Sequence, residues 1–549
     1  MTAAIVAAVV VLWVAAWPSR PVPATGSLDP DLQRRTIAGA FHVHSTLSDG
    51  SGTRSQIAAA AARAGLRFVV FTDHGDGTRQ PEPPTYASGV LCIDAVEIST
   101  NTGHYIALGL GTAPYRLGGE ASAVVEDVRR LGGFGIVAHP DSPKPALAWS
   151  DWGADADGVE WLNADSEWRN ESWPSLIRTL LGYLARPAPA LASMLDRESV
   201  TIDRWDLVTS RRRMAAFSAH DAHGGPGRSK EEAGHLGLPR LPSYESSFSS
   251  FSMRAIVRTP LSGNAAADAP VLLEALRAGR TYTTLDAVAS PAWLDFTGER
   301  GGQMAQMGEA LAGTGPGRLT ARSSVADQGT LLILRNGRVV AEGRAGEATT
   351  TTAGPGAYRV EVRLADRGSH APWIFSNPIY VDLPAPATSE VPLDLAEVLA
   401  VASGAWHPER DSSSTAEPVT DGDLPGLAFA LAPGSVSPFA ALAAQLPQPV
   451  PAFDAVVADI VSNAPARISV QLRSADGNGR WTRSIYVGPG ARPVALRTSE
   501  FRSAEKDGGR FDRAGVASVL LVVDLVNAHP GASGRFFVRH LALATASPR

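Results

Sequence analysis

Between about residues 35 and 284, short apolar runs alternate with stretches of helical character. Residues 36–42 and 66–71 read as strands around an Ala-rich helix over 54–64. Strands follow over 93–98 and 105–110. The next helix, 120–131, places Val124, Val125, Val128 and Leu131 on one face. Residues 134–137, 158–162 and 214–217 read as further strands, with two helical stretches filling 172–195. Such alternation predicts mostly parallel strands joined by crossover helices, in a barrel or a doubly wound sheet.

After about residue 290 the pattern changes to hairpins. The runs 331–335 and 339–342 flank Asn336-Gly337, a strong hairpin signal, and 358–364 adds another strand. We read 291–382 as a β-sandwich, 383–392 as a linker carrying Leu383-Pro384-Ala385-Pro386-Ala387, and 393–549 as a second sandwich, jelly-roll-like and a candidate for ligand binding. Its expected strands are 467–472, 480–487, 518–523 and 535–543. There is no internal repeat.

The N-terminus carries an uncharged apolar run over 3–17, followed by a Pro-rich stretch. A full membrane span needs about 20 apolar residues, so the run is better sized for a signal-peptide core, with Val22-Pro23-Ala24 as a small-residue cleavage site. The basic residues that usually precede such a core are absent. Residues 1–24 are therefore read as a signal peptide or an uncleaved anchor, which places the protein outside the cytoplasm, secreted or held at a membrane.

Composition narrows the chemistry. The 549 residues are 44% hydrophobic and 19% charged, with a formal net charge of −6 and no basic run. Globular domains fit; a bulk nucleic-acid partner does not. The one cysteine, Cys92, lies in an apolar run and reads as a small buried hydrophobe. Any metal must be held by imidazole and carboxylate.

Those groups are concentrated in the N-terminal half. Of twelve histidines, seven lie at 42, 44, 74, 104, 139, 220 and 223, each opening, following or closing an apolar run. At the carboxyl ends of α/β strands such side chains converge on one mouth. His42 and His44, two residues apart, point to the same side of an extended strand. Asp49 follows in a Ser-Asp-Gly turn. Asp73 and His74 end a β-branched run, and Glu97 stands in an apolar strand, where an unpaired carboxylate is costly unless it meets a cation. His104 opens a strand, His139 closes one before a proline, and His220, Asp221 and His223 crowd one segment.

These segments together resemble the PHP (polymerase and histidinol phosphatase) superfamily. The matching elements are His-Val-His-Ser at 42–45, Ser-Asp-Gly at 48–50, Thr-Asp-His at 72–74, Glu97 with Gly-His-Tyr-Ile-Ala-Leu-Gly at 103–109, Ala-His-Pro at 138–140, Asp-Gly-Val-Glu-Trp-Leu-Asn at 157–163 and Asp-Ala-His at 221–223. Gly279-Arg280-Thr281-Tyr282 and residues 373–380 resemble the carbaryl-hydrolase-like branch. The resemblance implies a distorted (β/α)7 barrel over 35–290 with two or three divalent ions at the strand ends. By matching position, His42, His44, Glu97 and Asp221 would hold one ion, and Glu97 would bridge to a second bound by His104 and His139. Asp49, His74 and His223 would hold a third; the family often has His where this chain has Asp49.

Imidazole and carboxylate suit Zn²⁺, Mn²⁺ or Fe²⁺. Paired ions of this kind lower the pKa of a bridging water from 15.7 towards about 7 and neutralise charge on a phosphoryl or carbonyl oxygen. Asp73, Glu160 and His220 are the candidate catalytic or supporting groups. The expected activity is a metal-dependent phosphoesterase using a metal-bridged hydroxide, with Lys144, Arg169 and Arg228 as candidate anion contacts. A carboxylic or carbamic ester or amide hydrolase at the same centre is the alternative, its substrate met by Trp149, Trp152, Trp161 and Trp168. A catalytically inactive surface-binding scaffold is a third reading. Trp406, Trp481 and Tyr486 serve either a carbohydrate-stacking surface or a core.

Overall fold

The computed structural model describes residues 13–14, 17–196, 199–225, 241–326, 329–344, 346–365, 371–383, 395–477, 479–504, 511–513 and 515–546. Most of the apolar N-terminal run, Arg228 and all of the 383–392 linker but Leu383 lie outside the described residues. The chain is mixed α/β with sheets predominating, and its described parts form two compact units. One comprises residues within 1–75, 81–111 and 128–387; the other, residues within 76–80, 112–127 and 388–549.

In the first unit the principal strands are β1 (Thr36–Val43), β2 (Phe68–Phe71), β3 (His74–Gly75), β4 (Val90–Asp94), β5 (Val96–Thr100), β6 (Gly103–Leu108), β7 (Phe134–Ala138), β8 (Gly158–Asn163), β9 (Ala215–Ala219), β10 (Ser252–Ile256) and β11 (Thr281–Thr284). A six-stranded sheet runs in the order β9-β8-β7-β6-β5-β3, and β11-β10-β1-β2-β4 belong to a twelve-stranded sheet. The two meet at β1 and β9, where an isolated parallel bridge joins Val43 to Ala222. β2, the tetrapeptide Phe-Val-Val-Phe, is buried along its whole length, as expected of a strand covered on both faces.

Parallel pairs β1–β2, β2–β4, β3–β5, β7–β8 and β8–β9 match the expected alternation. β6 departs from it, running antiparallel to both β5 and β7. The reason is local: only Asn101-Thr102 separates β5 from β6, Gly103 has φ +117°, and a connection this short permits only a hairpin. Helix α1 (Arg54–Arg63) is held at its start by a capping box, Thr53 Oγ1 accepting from Gln56 N and Gln56 Oε1 from Thr53 N.

The region read as a separate sandwich over 291–382 is not separate in its hydrogen bonding. Strand β12 (Gly356–Leu364) pairs with β13 (Ile374–Ser376), and β13 pairs with β11, so its sheet continues into the N-terminal strands. Asn377 seals this seam: its side chain accepts from Ala216 N at 2.6 Å and donates to Thr281 Oγ1 at 2.7 Å. A four-stranded sheet built on Leu294–Arg300 lies in the same region.

The second unit holds two six-stranded, antiparallel sheets around one apolar core. Ala466–Ser474, Arg480–Val487, Val516–Asp524 and Ser533–Ala546 supply four of its strands. Buried Arg467 is satisfied within the unit by Asp127, at 2.7 Å, and Glu126, at 2.9 Å.

Candidate metal centre

The site begins with backbone strain. Six described non-glycine residues have positive φ, and three of them are His42 (+61°), His139 (+29°) and Asp221 (+45°). A left-handed residue of this kind costs about 1–3 kcal/mol and persists only where its surroundings fix it. Here they do: His220 N donates to Phe41 O, His44 N to Ala222 O and His139 N to Glu160 Oε2, at 2.9, 3.0 and 2.7 Å. The register of β1 on β2 slips between Ala40 and Val43, so His42 and His44 do not share a side by strand alternation. A bulge turns His42 instead, bringing its Nε2 within 3.1 Å of His44 Nε2.

Glu97 lies at the middle of the cluster, 1% exposed. Its Oε1 is 2.8 Å from His104 Nδ1 and 2.8 Å from His139 Nε2. Its Oε2 is 3.3 Å from His42 Nε2, 3.3 Å from His44 Nε2 and 3.1 Å from His74 Nδ1, yet it accepts no hydrogen bond. Asp221 Oδ1 adds contacts at 3.4 Å to His42 and 3.3 Å to His44. Next to this group, Asp49 reaches His44 at 3.4 Å, His223 at 3.3 Å and His74 at 3.6 Å. A Cβ on Gly50 would come within 2.2 Å of His44 O, so the turn that carries Asp49 requires glycine there.

Among the described residues, three sets of donor atoms lie close enough to share an ion: His44, Asp49, His74 and His223; His42, His44 and Glu97; and His74, Glu97 and His104. The donor chemistry fits divalent cations. Burial opposes charging His42, but Asp221, Glu160 and Glu97 outweigh it and raise its pKa well above the ordinary value. Burial likewise opposes charging His44, which its pairing with Asp221 and Glu97 raises to about 9. His139 and His223 are raised against burial by Glu97 and by Asp49 respectively. Glu97 and Asp221, despite burial, are held well below the carboxylate range by the surrounding imidazoles. Without ions the cluster must take up protons to balance its carboxylates, and a buried carboxylate oxygen facing three imidazole nitrogens with no hydrogen bond is the polarity a cation satisfies.

Supporting groups surround the donors. Glu160 Oε1 lies 2.7 Å from His42 Nδ1, and its Oε2 accepts from the His139 backbone N and from Asn163 Nδ2 at 2.7 and 2.8 Å, so one carboxylate orients the His42 imidazole and fixes the backbone that carries His139. Asn163 also donates to Asp221 Oδ2 at 3.3 Å. Asn163 closes the Asp-Gly-Val-Glu-Trp-Leu-Asn stretch at 157–163, but the sequence assigns it no role of its own. Asp73 does not join the donors. Its carboxylate accepts from Ser45 N, Ser45 Oγ, Ser48 Oγ and Arg54 Nη2, which holds the loop between His44 and Asp49.

His220 departs from expectation. Its ring stacks on Phe251 at 4.1 Å and 4°, and its Nε2 lies 3.1 Å from Phe251 O. Burial lowers its pKa to about 4. His220 follows the end of β9 and turns its ring to Phe251, while Asp221, at its left-handed φ, faces His42 and His44. It is not placed for proton transfer at the cluster.

A cavity of about 470 Å³ borders Asp221 and His223. Trp168, Leu191, Met194 and Leu195 line it with Asp165 and Arg169, which pair with each other. Lys144 is exposed and is not part of this lining. Of the other tryptophans, Trp161 is buried, stacked on Phe375 at 4.0 Å. Trp149 packs on Tyr105, and Trp152 lies under Arg204. In the second unit Trp481 is buried against Phe511, and Trp406, partly buried, packs on the core.

No family model matches the chain, and no curated protein matches it. Among solved structures, it is similar to a two-domain protein containing a predicted PHP-like metal-dependent phosphoesterase from Bacteroides vulgatus, at 15% identity and a TM-score of 0.30, over 66% of this chain and 99% of that one. A family 11 carbohydrate-binding module from Clostridium thermocellum matches at 16% identity and a TM-score of 0.23, over 28% of this chain and 97% of that one. An amidohydrolase from Chromobacterium violaceum matches at 13% identity and a TM-score of 0.21, over 34% and 87%.

Proposed function

We propose that the chain is a metal-dependent phosphoesterase with its active centre at Glu97. The observation that carries this is the Glu97 carboxylate itself, buried, with five imidazoles around it and one oxygen that accepts no hydrogen bond. Bound divalent ions would supply Lewis acidity and an activated water near neutral pH. His42, His44, Glu97 and Asp221 would hold one ion, Glu97, His104 and His139 a second, and Asp49, His74 and His223 a third. Glu160 orients His42 and His139, and Asp73 fixes the loop that presents Asp49. The parallel pairs at β1–β2 and β8–β9 and the bridge between Val43 and Ala222 support a distorted (β/α)7 barrel around this centre. Export, by a cleaved signal or an anchor at residues 1–24, is part of the same reading.

One observation favours ester or carbamate hydrolysis as the second reading. The cavity beside Asp221 is largely apolar, and Arg169, the cation in its described lining, is paired with Asp165. A neutral acyl or carbamoyl group with an aromatic or alkyl arm suits such a lining better than a small dianion does. The two readings separate on a panel of aryl phosphates, phosphodiesters, carboxyl esters and carbamates, assayed with added Mn²⁺ or Zn²⁺. Turnover of phosphates that disappears in the His42→Ala, Asp221→Ala double variant supports the first. Turnover of acyl esters alone supports the second, and activity that survives the double variant removes both.

A further inference from the structure

Helices α2 (Ala164–Asn170), α3 (Trp173–Tyr183) and α4 (Pro187–Ala192) follow β8. One end of α3 is anchored: Tyr183 is buried, its hydroxyl lies 2.6 Å from Ser246 Oγ, and it accepts from Ser243 N at 3.1 Å. A second face is bare. Trp173, Ile177, Leu180 and Leu184 are 79, 58, 55 and 67% exposed, and their spacing of four, three and four residues sets them in one stripe. Single apolar side chains are common on surfaces, but four large ones in a row on one helix mark an interaction surface.

What covers the stripe is indicated by the chain that meets it. Residues 2–17 carry no charged side chain, and the described end of this run touches α3. The Trp13 indole donates to Leu181 O at 3.2 Å and packs edge-on to Trp17 at 5.2 Å. Arg186 lies over the Trp17 ring and donates to Pro18 O at 2.6 Å. Val14 and Trp17 are themselves 51 and 39% exposed. A run apolar on every side is not satisfied by lying on one stripe, because its outer side would still face water; a bilayer accepts both. The run is shorter than the roughly 20 residues needed to cross, and a second apolar element is what turns weak, reversible attachment into a stable one. Residues 172–195 contain Arg178 and Arg186 but no acidic residue, which suits anionic headgroups, and tryptophans are favoured at headgroup depth.

We propose that the Trp173–Leu184 stripe, with Trp13, Val14 and Trp17 beside it, forms a surface that seats the protein on an anionic lipid bilayer. The proposal rests on the reading of residues 1–24 as a retained anchor and does not depend on the hydrolase reading. Its test is flotation of the full chain with vesicles of phosphatidylcholine alone and of equimolar phosphatidylcholine and phosphatidylglycerol, for the native protein and an Ile177→Glu, Leu184→Glu variant. The native protein is expected to float with the anionic vesicles, and the variant to partition more weakly by on the order of tenfold to a hundredfold, with an unchanged circular-dichroism melt. Because Cys92 is buried, an environment-sensitive thiol probe at Leu180→Cys reads the stripe directly; a blue shift only when vesicles are added is the expected result. Equal flotation of native and variant chains would overturn the proposal. So would a probe already blue-shifted without lipid, whether the run folds over the stripe or a second copy occupies it, the latter seen as a dimer in sedimentation velocity.

Discussion

Glu97→Gln removes one negative charge while keeping the side chain's shape, and its effect is readable in the pH dependence of the chelator-treated chain. His44 Nε2 lies 3.3 Å from Glu97 Oε2 and 3.3 Å from Asp221 Oδ1. Burial opposes its protonation, but the two carboxylates prevail and raise its pKa from 6.5 to about 9. A raised pKa means that the folded state holds the proton more tightly than the unfolded one. The stabilisation is therefore complete below the unfolded value and is lost as pH climbs from about 6.5 through about 9. At about 1.4 kcal/mol per unit, a rise of this size is worth on the order of 3 kcal/mol. His42, His139 and His223 are raised in the same direction. The assay is urea unfolding of the metal-free chain at about pH 6 and about pH 9, read by tryptophan fluorescence. The native chain should lose on the order of 3 kcal/mol between them, and the variant a smaller amount, since Asp221 still pairs with His44 but Glu97 no longer raises it. A native chain that gains stability over this window, or a variant with the native slope, would refute the electrostatic reasoning.

Glu160→Gln should weaken metal binding about 10- to 100-fold, measured by competition with a chelating dye, because its carboxylate orients His42 and His139. His220→Phe should keep native metal content, since the ring stacks on Phe251 away from the donors, and should cost about 1–3 kcal/mol because it leaves Phe251 O without the His220 Nε2 partner; loss of metal would return His220 to the centre. Trp168→Ala should raise KM for aryl or alkyl esters by about tenfold while leaving small substrates unaffected, if the cavity it lines receives the apolar arm.

Local pattern made much of the first unit legible. Apolar runs such as Phe68–Phe71 and Phe134–Ala138 are strands, and residues placed at their ends gather in space, so His42, His44, Glu97, His104, His139, Asp221 and His223 can be picked out from the chain. What period-two reasoning misses is the departure from regular strand geometry. His42 turns inward through a bulge and a left-handed φ, and the face that aims Asp221 inward points His220 at Phe251. The role of Asn163 depends on Glu160 and Asp221 arriving from different segments, which no spacing rule contains. The antiparallel β6 follows from a turn read too coarsely. The pairing of Thr281–Thr284 with Ile374–Ser376 joins positions about ninety residues apart, and a boundary drawn from a change of local texture at residue 290 does not anticipate it.

The most direct test of the central claim is elemental analysis of the full chain, purified without chelator, loaded with Zn²⁺ or Mn²⁺ and then mildly dialysed. About two or more tightly held ions per chain are predicted, falling by about one in the His42→Ala, Asp221→Ala variant. Less than about one ion in the native chain after loading would contradict a metal centre at Glu97.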